Sequence, residues 1–280
     1  MKKWTLFGIL VVIVLLISGY SLNKKTEINP QNSAKYVPTL FIHGWGSSRN
    51  AEKQMVNYLV DKGYSKTIMQ ATVDKDGKVS LNGHFKNNDY HPIVEVQFED
   101  NKNTNYHTDA KWAKNVVLAL QNKYHFKKMN LVSHSMGNMA VAYYLLDNAK
   151  DKKLPVVQKY AALAGHFDGV LGYGDEPHKI KLDNQQKPSP MNAEYRELMG
   201  LRDDYHNQKI DILNIYGDKD DGTNSDGSVT VNSARSLKYL TANSAKSYQE
   251  VQINGKDGQH SQLHESKQVD KYLLDFLNKG

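Results

Sequence analysis

The 280-residue chain contains no cysteine. That excludes a disulfide staple and anchoring through a lipid-modified cysteine. The chain also lacks an internal repeat, a glycine-rich phosphate loop and a spaced set of metal-ligating residues. No cofactor and no metal ion are therefore expected. A basic stripe with interleaved aromatics is missing too. The formal net charge of +6 is misleading, because Lys2, Lys3, Lys24 and Lys25 supply four of the 36 basic residues and residues 1–25 hold no acid. Without them, 32 basic residues face 30 acids, a net of +2. A nucleic-acid partner is not expected. The remaining lysines read as a solvated surface with weak attraction to an anionic envelope.

What is present begins with a targeting segment. Met1-Lys2-Lys3 is followed by an apolar run from Leu6 to Ile17, broken only by Gly8. That length suits a signal-peptide core, with Gly19-Tyr20-Ser21 as a poor cleavage site. Counting Trp4 and Tyr20, the segment approaches spanning length, so an uncleaved anchor is the alternative. Residues 1–22 are assigned to this segment, 23–36 to a polar linker containing Pro30, and 37–280 to one α/β domain.

Within that domain, Leu131-Val132-Ser133-His134-Ser135-Met136-Gly137 is an apolar strand running into a small-x-Ser-x-Gly turn. A helix is predicted to follow from about Asn138 to Asp147, and another to precede it from Asp109 to Lys123. Strand, tight turn and helix push a serine hydroxyl out of a parallel sheet as a nucleophile. The usual residue at position 133 is glycine, and Ser133 departs from it. Upstream, Thr39–Ile42 reads as a strand entering His43-Gly44-Trp45-Gly46. The helix behind it is predicted to be capped by Ser48 or Asn50, with Met55, Val56, Leu59 and Val60 as its apolar stripe and Gly63 as its stop.

Downstream, Ile210–Gly217 reads as a strand emptying into an aspartate-rich loop that holds Asp218, Asp220, Asp221 and Asp226. A cation site there fails the EF-hand register, since Gly222 and Thr223 stand where an acid and a glycine are needed. A further strand near Tyr248–Ile253 leads to His260, and Val269, Leu273, Phe276 and Leu277 mark a terminal helix. A β-hairpin is predicted over Thr67 to Val79 at the sheet edge. His166 to about Asn207 is a long insertion, with Tyr195, Leu198 and Met199 on one helical face. The other histidines, His84, His91, His107, His125, His166, His178 and His206, fall in polar or loop-like segments and are expected at the surface rather than as catalysts. His43 and His134 are expected to pack structurally.

Taken together, Phe41-Ile42-His43-Gly44-Trp45-Gly46, His134-Ser135-Met136-Gly137-Asn138, Tyr216-Gly217-Asp218 and His260-Ser261-Gln262-Leu263-His264-Glu265 resemble the α/β-hydrolases. They are most similar to an uncharacterised family of exported hydrolases from Gram-positive bacteria. Short secreted bacterial lipases share the leucine three residues after the histidine. The resemblance runs from about Val37 to the C terminus. It implies a mostly parallel sheet with helices on both faces, and residues 166–207 as a lid. It implies Ser135 as nucleophile, a following acid and then a histidine base, with the backbone amides of Trp45 and Met136 as oxyanion donors. Among the acids, Asp226 fits the family register because Val229 follows it by three and a Ser-containing helix comes next. Asp220 and Asp218 remain alternatives. His260 is preferred to His264, since it leaves the glycine-rich loop directly. The implied activity is hydrolysis of a carboxylic ester of small-molecule or lipid-like type through an acyl-serine, by a monomer at the cell surface or outside the cell. An acyltransferase with the same triad, or a surface binding protein without turnover, are the alternatives.

Overall fold

The computed structural model describes residues 35–204 and 209–279. The targeting segment and nearly all of the linker lie outside the described residues. Tyr36, at the linker's end, is buried and packs on Phe85 at 5.6 Å between ring centroids.

Strand β1 (Thr39–Ile42) is apolar at every position after Thr39 because both of its faces are covered. Leu40 and Ile42 join the core on one face, while Phe41 joins the core on the other. A strand buried on both sides has no reason to alternate. Helix α1 (Lys53–Asp61) follows, and Met55, Val56 and Leu59 form its buried stripe. The predicted caps do not form. Ser48 Oγ instead accepts the N–H of Asn50, and the N-cap position falls to Glu52, whose side chain makes no cap bond. Gly63 takes φ +79, a left-handed conformation that ends the helix without strain on a Cβ.

Glu52 is 3% exposed, and its Oε1 has no hydrogen-bond partner among the described residues. Burial, with a smaller contribution from Glu95, pushes its carboxyl up to about 8. An acid whose folded value lies above its unfolded value is stabilising when protonated. That contribution is fully present below the ordinary value of 4.5 and is lost as pH rises through about 8. Glu52→Gln is therefore expected to raise stability at pH 8 by a few kcal/mol, on the order of the shift itself, and to change little at pH 4. Thermal unfolding at the two pH values checks this, and equal effects at both would contradict it.

Next come β2 (Ile68–Val73), β3 (Val79–Asn82) and β4 (Ile93–Phe98). The hairpin forms at the edge as expected: β3 pairs antiparallel with β2, and β2 itself pairs parallel with β4. Helix α2 (Tyr106–Tyr124) leads to β5 (Lys128–His134), and α3 (Met136–Asp147) leads to β6 (Val156–Leu163). The insertion contributes β7 (Val170–Leu171), β8 (Gly174–Asp175), β9 (Lys181–Leu182) and β10 (Pro188–Ser189), then α4 (Ala193–Leu198) and α5 (Gly200–Asp204). Then follow β11 (Ile210–Asp218), α6 (Val231–Arg235), α7 (Leu237–Thr241), β12 (Ala245–Asn254) and α8 (Lys267–Asn278).

The main sheet has the order β12-β11-β6-β5-β1-β4-β2-β3, and every neighbouring pair except β2–β3 is parallel. Helices α1 and α8 cover one face through Met55, Val56, Leu59, Val269, Leu273 and Phe276. Helices α2 and α3 cover the other, where α3 is buried along nearly its whole length. This is a mostly parallel α/β sheet with helices on both faces. The loops at the carboxyl ends of its strands therefore gather along one edge.

The insertion is tied down at several points. Tyr195 and Leu198 of α4 are fully buried, whereas Met199 is only partly covered. His107 on α2 joins Asp147 of α3 at 2.9 Å and Glu197 of α4 at 2.8 Å. Among the described residues no helix is long and apolar enough to cross a membrane.

Candidate active site

Strand β5 ends at His134, and Ser135 turns the chain with φ 53 and ψ −122 before α3 begins. A non-glycine residue at positive φ is strained by about 1–3 kcal/mol, so its surroundings must hold it. Asn138, fully buried, does this with all four of its hydrogen-bonding positions. Its Nδ2 donates to the carbonyls of Ser135 (3.1 Å) and Leu163 (2.8 Å). Its Oδ1 accepts from the hydroxyls of Ser133 (2.7 Å) and Tyr160 (2.8 Å). The serine at position 133 thus has a function that glycine could not fill. The sequence places Asn138 in the serine-turn motif but gives it no role, and the available signal was an asparagine in the first turn of an otherwise apolar helix. Gly137 is required for space, since a Cβ there would run into the carbonyl oxygens of Ile42 and His43.

That close approach sets the β1 loop against the turn. A Cβ on Gly44 would lie 3.0 Å from the Cβ of Ser135. The loop is fixed by Gly46 N–H donating to Asn101 O at 2.7 Å and by the Trp45 indole donating to Lys102 O at 3.1 Å. His43 is buried, and Phe98 N–H donates to its Nε2 at 3.1 Å, so the proton sits on Nδ1 and bonds the Gly44 carbonyl. Burial holds its pKa below the ordinary histidine value. Among the described residues, the backbone N–H groups of Trp45 and Met136 donate to no protein acceptor. Met136 follows Ser135 directly, and Gly44, the residue before Trp45, packs against Ser135, so both amides belong to the segments bordering the hydroxyl.

The sheet brings Ser135, His260 and Asp226 together. His260 Nε2 lies 2.9 Å from Ser135 Oγ, and His260 Nδ1 lies 2.7 Å from Asp226 Oδ2. Asp226 is 1% exposed. Its Oδ1 accepts the N–H groups of Ser228 (2.8 Å) and Val229 (2.7 Å), which fixes the carboxylate plane. A backbone bond from His260 N–H to Asp226 O at 2.9 Å joins the two loops. Gly258 lets them meet, because a Cβ there would strike the Asp218 and Ile253 carbonyls. Asp218 Oδ1 is taken by the N–H of Asp220, and the Asp220 side chain is exposed. Neither reaches His260.

His264 packs edge-on against His134 at 4.8 Å. Its Nδ1 lies 3.3 Å from Glu265 Oε1 but, among the described residues, has no hydrogen-bond partner of acceptable geometry. His134 has a more specific place than packing alone: its Nε2–H donates to the carbonyl of His260 at 3.0 Å. Burial holds its pKa well below the ordinary value, and positive charge on His260 and His264 would lower it further.

The expectation that His166 is a surface residue is wrong. It is 6% exposed, and burial, with His260 nearby, pushes its pKa down to about 4. Its neighbours Ala164, Phe167 and Asp168 are buried with it, an environment that a loop position in the sequence does not reveal. Among the described residues no group of three or more histidine, aspartate or glutamate side chains is placed to hold a metal ion.

Comparison with known proteins agrees with this architecture. The product of gene lin2722 from Listeria innocua superposes with a TM-score of 0.78 at 26% identity, covering 88% of this chain and 95% of that one. A proposed cell surface hydrolase from Lactobacillus plantarum WCFS1 superposes with a TM-score of 0.66 at 19% identity, covering 87% and 90%. No curated protein matches the sequence. Residues 26–280 match the family described as alpha/beta hydrolase of unknown function (DUF915), and the chain belongs to that family.

Proposed function

We propose that this chain is an exported serine hydrolase that cleaves a carboxylic ester through an acyl-Ser135 intermediate. The observation that carries the reading is the continuous hydrogen-bond chain from Ser135 Oγ through His260 to Asp226. A serine hydroxyl is a weak nucleophile until an adjacent base takes its proton. His260 Nε2 accepts that proton as Oγ bonds to the ester carbon, and Asp226 stabilises the resulting imidazolium. The amides of Trp45 and Met136 hold the tetrahedral oxyanion, a contribution of about 2.7–4 kcal/mol per donor in such sites. His260 then gives the proton to the departing alcohol oxygen. Water, deprotonated by the same imidazole, releases the acid and restores Ser135. The insertion over residues 166–207 serves as a lid; positions 205–207 lie outside the described residues.

Export is supported by the basic start and the apolar run of residues 6–17. The likeness to a proposed cell surface hydrolase of Lactobacillus plantarum is consistent with it. Labelling with a fluorophosphonate tests the chemistry. The probe is expected on Ser135, and Ser135→Ala is expected to abolish labelling together with hydrolysis of p-nitrophenyl butyrate. Wild-type protein that neither labels nor turns over would defeat the proposal.

A further inference from the structure

The short turn that fixes the Asp226 carboxylate is itself held from outside, by the start of the insertion. Asp226 N–H donates to Val229 O at 3.0 Å, and Asp226 Oδ1 receives the N–H groups of Ser228 and Val229. Three successive residues here meet one tight loop, residues 169–175, which carries β7 and β8. Leu171 N–H donates to Ser228 O at 2.9 Å. Val170 packs against the small apolar cluster of Tyr216, Val229, Val231 and Ala234. Thr230 Oγ1–H donates to Asp175 Oδ2. Two of those three residues, Ser228 and Val229, are the ones whose amides hold Asp226.

The loop is built to be rigid. Gly169, at φ +103, lets its ends close, since a Cβ there would lie 3.0 Å from Tyr173 O and Gly174 C. Asp175 is 1% exposed, and burying a carboxylate costs free energy unless its oxygens are bonded. Thr230 bonds one oxygen, and Glu176 N–H donates to the other at 2.8 Å. Behind them, Asp168 N–H donates to Ser233 Oγ at 3.1 Å. Ser233 Oγ–H in turn donates to Gly169 O at 2.8 Å, so α6 is joined to the same loop.

We infer that this loop positions the proposed catalytic acid, with Asp175 and Thr230 as positioning residues that hold the Asp226 turn against His260. This inference rests on the serine-hydrolase reading and deepens it. The proposed lid is anchored at its first loop, and that anchor is part of the frame of the site. The reason is geometric. Asp226 Oδ2 meets His260 Nδ1 at 2.7 Å, and its place is set by Oδ1, which follows the backbone of residues 228 and 229. Loosening that backbone moves the carboxylate off the ring, and a misplacement of about 1 Å can cost on the order of 10²-fold in rate.

Steady-state kinetics of the full-length chain on p-nitrophenyl butyrate tests this. Asp175→Ala and Thr230→Val are each expected to lower kcat on the order of 10²-fold with KM unchanged. Thr230→Ser, which keeps the hydroxyl, is expected to retain most of the rate. Both losses are expected to vanish in the Asp226→Asn background, because a residue that acts through the Asp226 carboxylate then has nothing to position. A merely structural loss would add to that of Asp226→Asn instead. Wild-type kcat in both Asp175→Ala and Thr230→Val overturns the inference, as does a loss that persists undiminished beside Asp226→Asn. Thr230→Val is nearly isosteric and decides alone if Asp175→Ala does not fold. Absence of turnover in wild type defeats the parent reading, and the positioning role with it.

Discussion

His260→Ala is expected to lower kcat for p-nitrophenyl butyrate by about 10⁶-fold, whereas His264→Ala is expected to leave it within about tenfold of wild type. The two histidines are four residues apart, and the distinction between them is geometric. His260 Nε2 meets Ser135 Oγ at 2.9 Å, while the nitrogens of His264 bond neither Ser135 nor Asp226. Without His260 the hydroxyl keeps its proton at the moment of attack, and the leaving alcohol departs as an alkoxide. In the proposed mechanism the amides of Trp45 and Met136 still operate, so a residual rate above the uncatalysed one is expected. Among the described residues, the ring contact of His264 with the site is to His134, whose Nε2–H steadies the His260 carbonyl. Its loss therefore acts through a second ring and is small. Steady-state kinetics on the two variants decides this, and the reverse order of effects would move the base to His264.

Asp226→Asn is expected to reduce kcat by about 10⁴-fold while leaving the fold intact. The reason lies in which oxygen is already committed. Ser228 and Val229 donate their N–H groups to Oδ1, so an asparagine must keep its carbonyl oxygen there. Its NH₂ then occupies the place of Oδ2 and points at His260 Nδ1. A donor facing Nδ1 forces the ring proton onto Nε2, the nitrogen that has to accept from Ser135. The nucleophile meets a donor instead of a base. Asp220→Asn and Asp218→Asn lack this effect because neither carboxylate touches His260, and both are expected to stay within about threefold of wild type. Unchanged circular dichroism with collapsed kcat for the Asp226 variant alone is the expected pattern. Full activity in that variant would remove Asp226 from the mechanism.

The local pieces of this architecture were legible because each depends on short-range chemistry. The apolar run of β5, the glycine after Ser135 and the apolar periodicity of α2 and α8 follow from spacing within a dozen residues. The edge hairpin was legible through its Asp74–Gly77 turn, although β3 runs three residues further than expected. Failures cluster where a side chain's environment comes from a distant segment. Ser48 and Asn50 look like caps in sequence, yet the loop they occupy is shaped by Gln97 and Asn101, about fifty residues away. His166 lies in a loop, yet it is buried together with Ala164, Phe167 and Asp168, and its ring is 6.2 Å from that of Tyr106, sixty residues away.

By itself, the sequence determined that a serine leaves a parallel strand at a tight turn, that a glycine loop precedes it, and that acids and histidines follow in order. These are statements about neighbours along the chain. The sequence preferred Asp226 and His260 through the family register; the tertiary structure is what brings that carboxylate to His260 and that imidazole to Ser135. Asp218, Asp220 and Asp226 have the same chemistry, and only the backbone contact permitted by Gly258, with two amides fixing Oδ1, brings Asp226 within 2.7 Å of His260. The local register favours Asp226 and His260, but only loop closure across the sheet brings the two groups within bonding distance.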